Sequence, residues 1–95
     1  MSITDSPSLP EPFKVGEKWF FRTVTFHVVG EITELCARGF VRLKDAAWVA
    51  DTERFTQAIE KGALREVEPV GAVVVNTGAV TDAFPWTHSL PLKQK

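Results

Sequence analysis

The sequence has little cysteine, with one residue at Cys36, and it contains two histidines and no tyrosine. One cysteine cannot form an internal disulfide, and one cysteine with two histidines cannot supply the usual zinc ligand sets. A reactive thiol needs a cationic setting, which the sequence around Cys36 does not show, so we interpret it as a small side chain near a turn. We therefore expect no metal site and no cofactor.

Long apolar runs and an excess of charge are missing too. No apolar stretch approaches the roughly 20 residues that span a bilayer. Residues 1–12 have neither the basic nor the apolar segment of a signal peptide. These features predict a cytoplasmic protein with no membrane partner. Eleven basic and twelve acidic residues give a net charge of −1, which argues against a broad nucleic-acid surface.

What the sequence does contain is the composition of one small globular domain. A chain of 95 residues has too little core to divide. With 44% hydrophobic and 24% charged residues, it falls in the ordinary globular range. Three prolines make residues 1–12 an extended Pro-rich arm. Residues 13–90 are predicted to form a single β-rich domain, followed by a polar tail at 91–95.

The strongest strand signal runs from Lys18 to Val29, which is rich in aromatic and β-branched residues. Alternation along one such strand predicts two faces. The core face holds Arg22 among four apolar side chains: Phe20, Val24, Phe26 and Val28. The opposite face is a polar row of Thr23, Thr25 and His27.

Further elements follow from turn residues and hydrophobic periodicity. Residues 31–35 are predicted to form a second strand or a continuation of the first. Further strands are predicted at 40–44 (extending to 50 after a break), 70–75 and 79–83, with a turn at 36–39. A helix over 52–61 is capped by Asp51 or Thr52 and ends at Gly62. The order β-β-β-α-β-β predicts a β-rich α+β fold. We expect a small, strongly bent five-stranded sheet or a small barrel, with one short helix inserted between strands 3 and 4. Its sheet edges predict a homo-oligomer.

Two resemblances add to this interpretation. Residues 24–84, with a bent strand, a hairpin and the closing segment VVVNTGAVTDAF, resemble the SH3/Sm-like barrel of bacterial Hfq-type proteins, without that family's N-terminal helix. The motifs RTVT (22–25), AWVADTxRF (47–55) and PWxHxLP (85–91) resemble a family of short proteins encoded by tailed phages and bacteria. The second resemblance implies a phage protein in the cytoplasm of the host bacterium. Such a protein would be a structural accessory or a factor acting on the host.

Eight residues are candidates for ligand binding: Arg22, Thr23, Thr25, His27, Trp48, Asp51, Arg54 and Trp86. A guanidinium on an apolar face must reach solvent, pair with Asp45, Asp51 or Glu68, or hold a phosphate or carboxylate. The polar row is either a solvated sheet face or a hydrogen-bonding surface under a second subunit. The tryptophans either pack in the core or a subunit contact, or stack on a base.

The remaining two candidates lie where the helix is predicted to begin. Asp51 is a candidate helix cap. Arg54 is predicted in the first helical turn, where the helix dipole disfavours a cation, so we expect it to pair with an acid or a ligand.

The sequence contains no phosphate-binding glycine loop, nucleophile elbow or metal-ligand spacing. We therefore expect a binding protein and not an enzyme. The leading hypothesis is a phage-type homo-oligomer that sequesters a small anionic, nucleotide-like ligand between subunits without turnover, as a sponge for host immune signals would. The alternative is a virion or assembly accessory that binds other phage structural proteins. An Sm-like RNA-binding ring ranks third because the net charge is nearly neutral.

Overall fold

The computed structural model describes residues 12–95, so nearly all of the predicted arm lies outside the described residues. The elements are β1 (Lys18–Thr23), β2 (His27–Leu35), β3 (Phe40–Asp51), α1 (Phe55–Lys61), β4 (Glu66–Asn76) and β5 (Val80–Pro85). Short 3₁₀ turns at Ala37–Gly39 and Thr77–Ala79 join β2 to β3 and β4 to β5. The strands form one antiparallel sheet in the order β4-β3-β2-β1-β5. The predicted β-rich domain, with one short helix between the third and fourth strands, is confirmed.

The long first strand expected from the sequence is wrong, because the chain turns at residues 24–26. The Thr23 hydroxyl oxygen accepts hydrogen bonds from the backbone N–H groups of Thr25 and Phe26, at 3.3 and 3.0 Å. The side chain therefore forms a turn that glycine or proline would otherwise mark in the sequence. As a result Val24 and Phe26, expected in the core, are 87% and 46% exposed.

Both faces of the sheet are covered, because β1 carries two adjacent phenylalanines that point to opposite sides. The Phe21 core lies on one face and contains Phe13, Phe21, Val28, Ile32, Val41, Leu43, Ala46 and Val75. The Phe20 core lies on the other and contains Phe20, Val29, Ala47, Val49, Ala58, Leu64, Val67 and Trp86. Full burial of a phenylalanine stabilises a fold by about 1.5–3 kcal/mol, so β1 anchors both layers.

The helix covers the Phe20 core and is shorter than expected, since it begins at Phe55. Its buried Ala58 and half-buried Phe55 and Ile59 form the predicted stripe toward the sheet. Gly62 ends it in the left-handed conformation, φ 72°, with its N–H bonded to the Ala58 carbonyl, as predicted. In the part of the chain that the structure describes, no helix is long and apolar enough to cross a membrane.

The segment after β5 folds back over the helix and completes the Phe20 core. The Trp86 ring packs 5.7 Å from Phe20, and its indole N–H donates to the Ser89 carbonyl at 3.1 Å. The His88 ring lies 2.7 Å from the Ile59 carbonyl through Nε2. It presses on Gly62 so closely that a Cβ there would lie 2.6 Å from the His88 Cγ. The end of the helix is thus held by a residue 26 positions later in the sequence.

Strand β3 bends where the sequence predicted a break. Asp45 has φ 50°, and the pairing with β4 shifts register between Leu43 and Ala46. Gly30 of β2 faces this irregularity. A Cβ on Gly30 would lie 3.0 Å from the Ala46 Cβ and 3.2 Å from its Cα. The bend therefore needs a residue without a side chain at position 30.

We expect Gly30→Ala to lower the free energy of unfolding by about 1–3 kcal/mol, because the added methyl overpacks a site with no free space. Urea unfolding followed by circular dichroism measures this. The double variant with Ala46→Gly removes the opposing methyl, so its loss should be smaller than the sum of the two single losses. Strictly additive losses would show that the contact with Ala46 is not the cause.

Candidate functional site

Three of the eight sequence-predicted site residues line one groove, and the other five do not. Thr25, His27 and Trp48 contribute to a surface groove of about 790 Å³, which we call the Trp48 groove. Its complete lining is Val24, Thr25, Phe26, His27, Trp48, Val49, Ala50, Glu66, Val67, Glu68, Gln94 and Lys95. The groove lies between the β1–β2 turn, the end of β3 and the start of β4. A second cavity, of about 420 Å³, lies beside the same turn and is lined in part by Thr23 and Thr81.

An exposed aromatic pair forms one wall of the groove. The rings of Phe26 and Trp48 lie 6.1 Å apart, and Trp48 is 49% exposed. The Thr23 turn brings Phe26 into this position, while Trp48 extends from β3 opposite Val28. Exposed aromatic side chains of this kind can pack on an apolar group or hold a cation over the ring face.

The part of the groove beside this aromatic pair is acidic. Glu68 is the direct cross-strand partner of Trp48, so both side chains lie on the same face of the sheet. Glu66 lies two residues earlier in β4 and therefore on that face as well. Both glutamates are exposed. This end of the sheet therefore offers carboxylates beside aromatic rings, a combination that favours positively charged groups.

His27 also lines the groove but belongs to the other face of the sheet, because its cross-strand partner is Val49 of the Phe20 core. Its ring centre is 5.7 Å from that of Phe20. Its Nδ1 is buried and has no hydrogen-bond partner among residues 12–95. The sequence predicted that His27 and Arg22 lie in one strand with their side chains on different faces. The hairpin instead makes them direct cross-strand partners, because the turn reverses the alternation.

Gln94 and Lys95 also line the groove, beside the start of β4. Lys95 and Val67 exchange both backbone hydrogen bonds, from Val67 N to Lys95 O at 3.3 Å and from Lys95 N to Val67 O at 3.1 Å. The Lys95 ammonium donates to the Leu64 carbonyl at 3.3 Å. Lys95 therefore places a basic side chain and a paired backbone segment beside the groove.

Arg22 lies outside the groove, and its partner is none of the three carboxylates considered from the sequence. It forms a two-bond ion pair with Asp82 of β5, with Nε–Oδ1 at 2.7 Å and Nη2–Oδ2 at 2.5 Å. Its guanidinium also lies 4.4 Å from the centre of the Phe55 ring. The hydrogen bond to Asp82 raises the pKa of Arg22, and the hydrogen bond from Arg22 lowers the pKa of Asp82.

The remaining predicted residues have structural placements. Trp86 is 2% exposed and packs in the Phe20 core, which leaves no ring face for a ligand. Asp51 does not cap the helix; it accepts a hydrogen bond from the Glu53 N–H at 2.8 Å and lies 3.6 Å from Arg65. Arg54 precedes the helix as its N-cap residue and is exposed, not in the first turn as expected. Thr23 forms the β1–β2 turn.

Sequence reasoning missed Phe26, Glu66 and Glu68 as groove residues. Phe26 was expected in the core because the turn has no glycine or proline. The two glutamates alternate with the buried Val67, a pattern of strand residues facing solvent that carries no ligand signal by itself. Over residues 12–95, no cluster of three or more metal-binding side chains occurs.

Neither the known protein-family models nor the curated proteins give a match to this chain. The geometry of the Trp48 groove is therefore the basis for inferring a function.

The Arg22–Asp82 pair makes stability depend on pH in a defined direction. Because the pKa of Asp82 is lowered in the folded chain, the pair stabilises the fold above the ordinary aspartate pKa of about 3.9. This contribution is lost as pH falls through the lowered pKa. We expect Asp82→Asn to melt at a lower temperature than the wild type at pH 7, with the difference shrinking below about pH 4.

Thermal unfolding between pH 2 and 7 measures this effect. Glu60→Gln, on the exposed side of the helix, is the matched control for losing one carboxylate. A melting difference for Asp82→Asn that stays constant across this range would contradict the assignment.

Proposed function

We propose that this chain is a binding protein that acts without turnover and that its binding site is the Trp48 groove. The observation that carries the proposal is the exposed Phe26–Trp48 pair beside the exposed Glu66 and Glu68. Apolar rings left in solvent are costly unless a partner covers them, and contiguous exposed apolar surface is typical of interaction sites. The occupant that suits these walls carries both apolar and positively charged groups.

The acidic lining of the groove is unfavourable for the anionic, nucleotide-like ligand expected from the sequence. That hypothesis needs Arg22 and Arg54 beside an aromatic wall. Arg22 instead binds Asp82, and neither arginine lines the groove. Lys95 is the cation at the groove, against the two glutamates, so a phosphate would meet net repulsion. The proposal therefore keeps sequestration without turnover and reverses the expected charge of the ligand.

We also propose that the sheet curls toward an SH3/Sm-like barrel. Two features support this. β1 pairs with both β2 and β5, and a single 3₁₀ turn of three residues joins β4 to β5, the two edge strands of the sheet. In addition, the Phe21 core gathers side chains from β1, β2, β3 and β4 on one face, as the interior of a small barrel does.

Phage origin, self-association and contact with phage structural proteins stay predictions of the sequence. Support for a homo-oligomer comes from Val70 and Val74 of the edge strand β4, which lie outside the groove and are 37% and 44% exposed. Such apolar edge residues are suited to contact with another copy.

Titration with two small probes tests the charge and place of binding. One probe is acetyl-Lys-Phe-Lys-amide and the other is ATP, each followed by backbone amide NMR shifts. We expect the peptide to shift amides of the groove and ATP to leave them unchanged. Trp48→Ala should weaken the peptide about tenfold, because a cation or apolar group over an aromatic ring contributes about 0.5–2 kcal/mol.

Phe40→Ala is the matched control, since Phe40 is an exposed aromatic of the same strand outside the groove. Replacing Glu66 and Glu68 together with glutamine should weaken the peptide and flatten its salt dependence. Tighter binding of ATP than of the peptide, or peptide binding insensitive to Trp48→Ala, would overturn the proposal.

A further inference from the structure

The edge of the sheet next to the Trp48 groove is partly paired by the chain itself. β4 is an edge strand, and its outer side meets Lys95. Two residues that exchange both backbone hydrogen bonds form the hydrogen-bonded pair of an antiparallel ladder. Over residues 12–95, this reciprocal pair at Val67 gives the outer edge its backbone hydrogen bonds. The edge at Val67 is therefore shaped to accept an extended strand.

The segment seated there is basic, and the surface that receives it is acidic. Lys93 and Lys95 belong to this segment, while Glu66 and Glu68 flank Val67 in β4. Gln94 and Lys95 line the groove together with those glutamates. The Lys95 ammonium is anchored on the Leu64 carbonyl. Both the acidic surface and the backbone geometry of the edge thus favour a basic, extended segment.

The length of pairing along this edge is limited. In an antiparallel strand, residues two apart direct their N–H and C=O groups to the same side. Pro69 is two residues beyond Val67, and it has no N–H to donate. An added strand can use both groups of Val67 and then only the carbonyl of Pro69. The site accordingly fits a short extended segment of a few residues.

We propose that the Trp48 groove binds a short, extended, basic peptide segment of a partner protein by strand addition at Val67. In the absence of this peptide, residues 93–95 of the chain itself occupy its position and are displaced when it binds. The inference rests on the proposed function, and it names the form of the ligand and what competes with it. The peptide backbone pairs with Val67, a lysine lies beside Glu66 and Glu68, and an apolar side chain covers Phe26 and Trp48. Binding requires the 93–95 segment to leave the edge.

The test uses the full chain and the labelled peptide acetyl-Leu-Pro-Leu-Lys-Gln-Lys-amide, which matches residues 90–95, with fluorescence anisotropy as the readout. Lys95→Pro removes the N–H donor to Val67 and the ammonium held by Leu64. We expect this variant to bind the peptide at least tenfold more tightly than the wild type. Lys93→Pro makes the same change at a residue without a backbone bond to Val67 and should stay within about twofold of the wild type.

Amide hydrogen exchange identifies strand addition separately from affinity. The Val67 N–H should exchange at least tenfold faster in Lys95→Pro than in the wild type, and added peptide should restore its protection. A peptide with an N-methyl group on its last lysine keeps the charge and loses the donor. It should bind Lys95→Pro at least fivefold more weakly than the unmodified peptide.

Equal affinity of wild type and Lys95→Pro, or unchanged binding after N-methylation, would overturn this inference. Either result leaves the proposed function intact as long as Trp48→Ala still weakens binding. Loss of the Trp48 dependence would instead remove the groove as the site, and both proposals would fail together. Far-UV circular dichroism of each variant confirms that the sheet is folded.

Discussion

Two consecutive phenylalanines in a single strand constrain this molecule more than any other feature. Phe20 and Phe21 are both fully buried, yet neighbouring residues of a strand point to opposite faces. The sheet must therefore be covered on both sides. The face of Phe21 is closed by side chains of the sheet itself and by Phe13. The face of Phe20 needs added elements, and the helix and the segment after β5 supply them.

This requirement also determines where the end of the chain lies. Trp86 must enter the Phe20 core, and His88 must lie on the end of the helix. The residues that follow are thereby directed along the sheet toward the start of β4, where Lys95 meets Val67. Gln94 and Lys95 therefore reach the Trp48 groove because the segment before them covers Phe20. These two residues take up space that any ligand of this groove would need.

Much of the fold could be predicted from the sequence because its signals are local. The strand β3 alternates buried Val41 and Leu43 with exposed Arg42 and Lys44, and Gly62 ends the helix as expected. The β1–β2 turn could not be predicted, because the Thr23 hydroxyl forms it where neither glycine nor proline marks the position. Because this turn was missed, the sequence predicted Val24 and Phe26 in the core, although both are exposed.

The site was predictable only in part for the same physical reason. Trp48, Thr25 and His27 were identified from residue type and do lie together. The partner of Arg22 was not, since Asp82 is 60 positions away and only strand pairing brings the two together. Trp86 was left open between core and ligand, and only the packing around it shows which role it takes.

Pro69 has a consequence for how the molecule behaves in crowded solution. It precedes the apolar run at 70–75 of the edge strand β4, in which Val70 and Val74 are exposed. Segments of that composition readily template identical copies into cross-β fibrils. A proline at the outer edge interrupts the donor ladder that fibril growth requires, much as edge prolines do in other sheets. Pro69 thus limits strand pairing on the same edge where Val67 exchanges both of its backbone hydrogen bonds with Lys95.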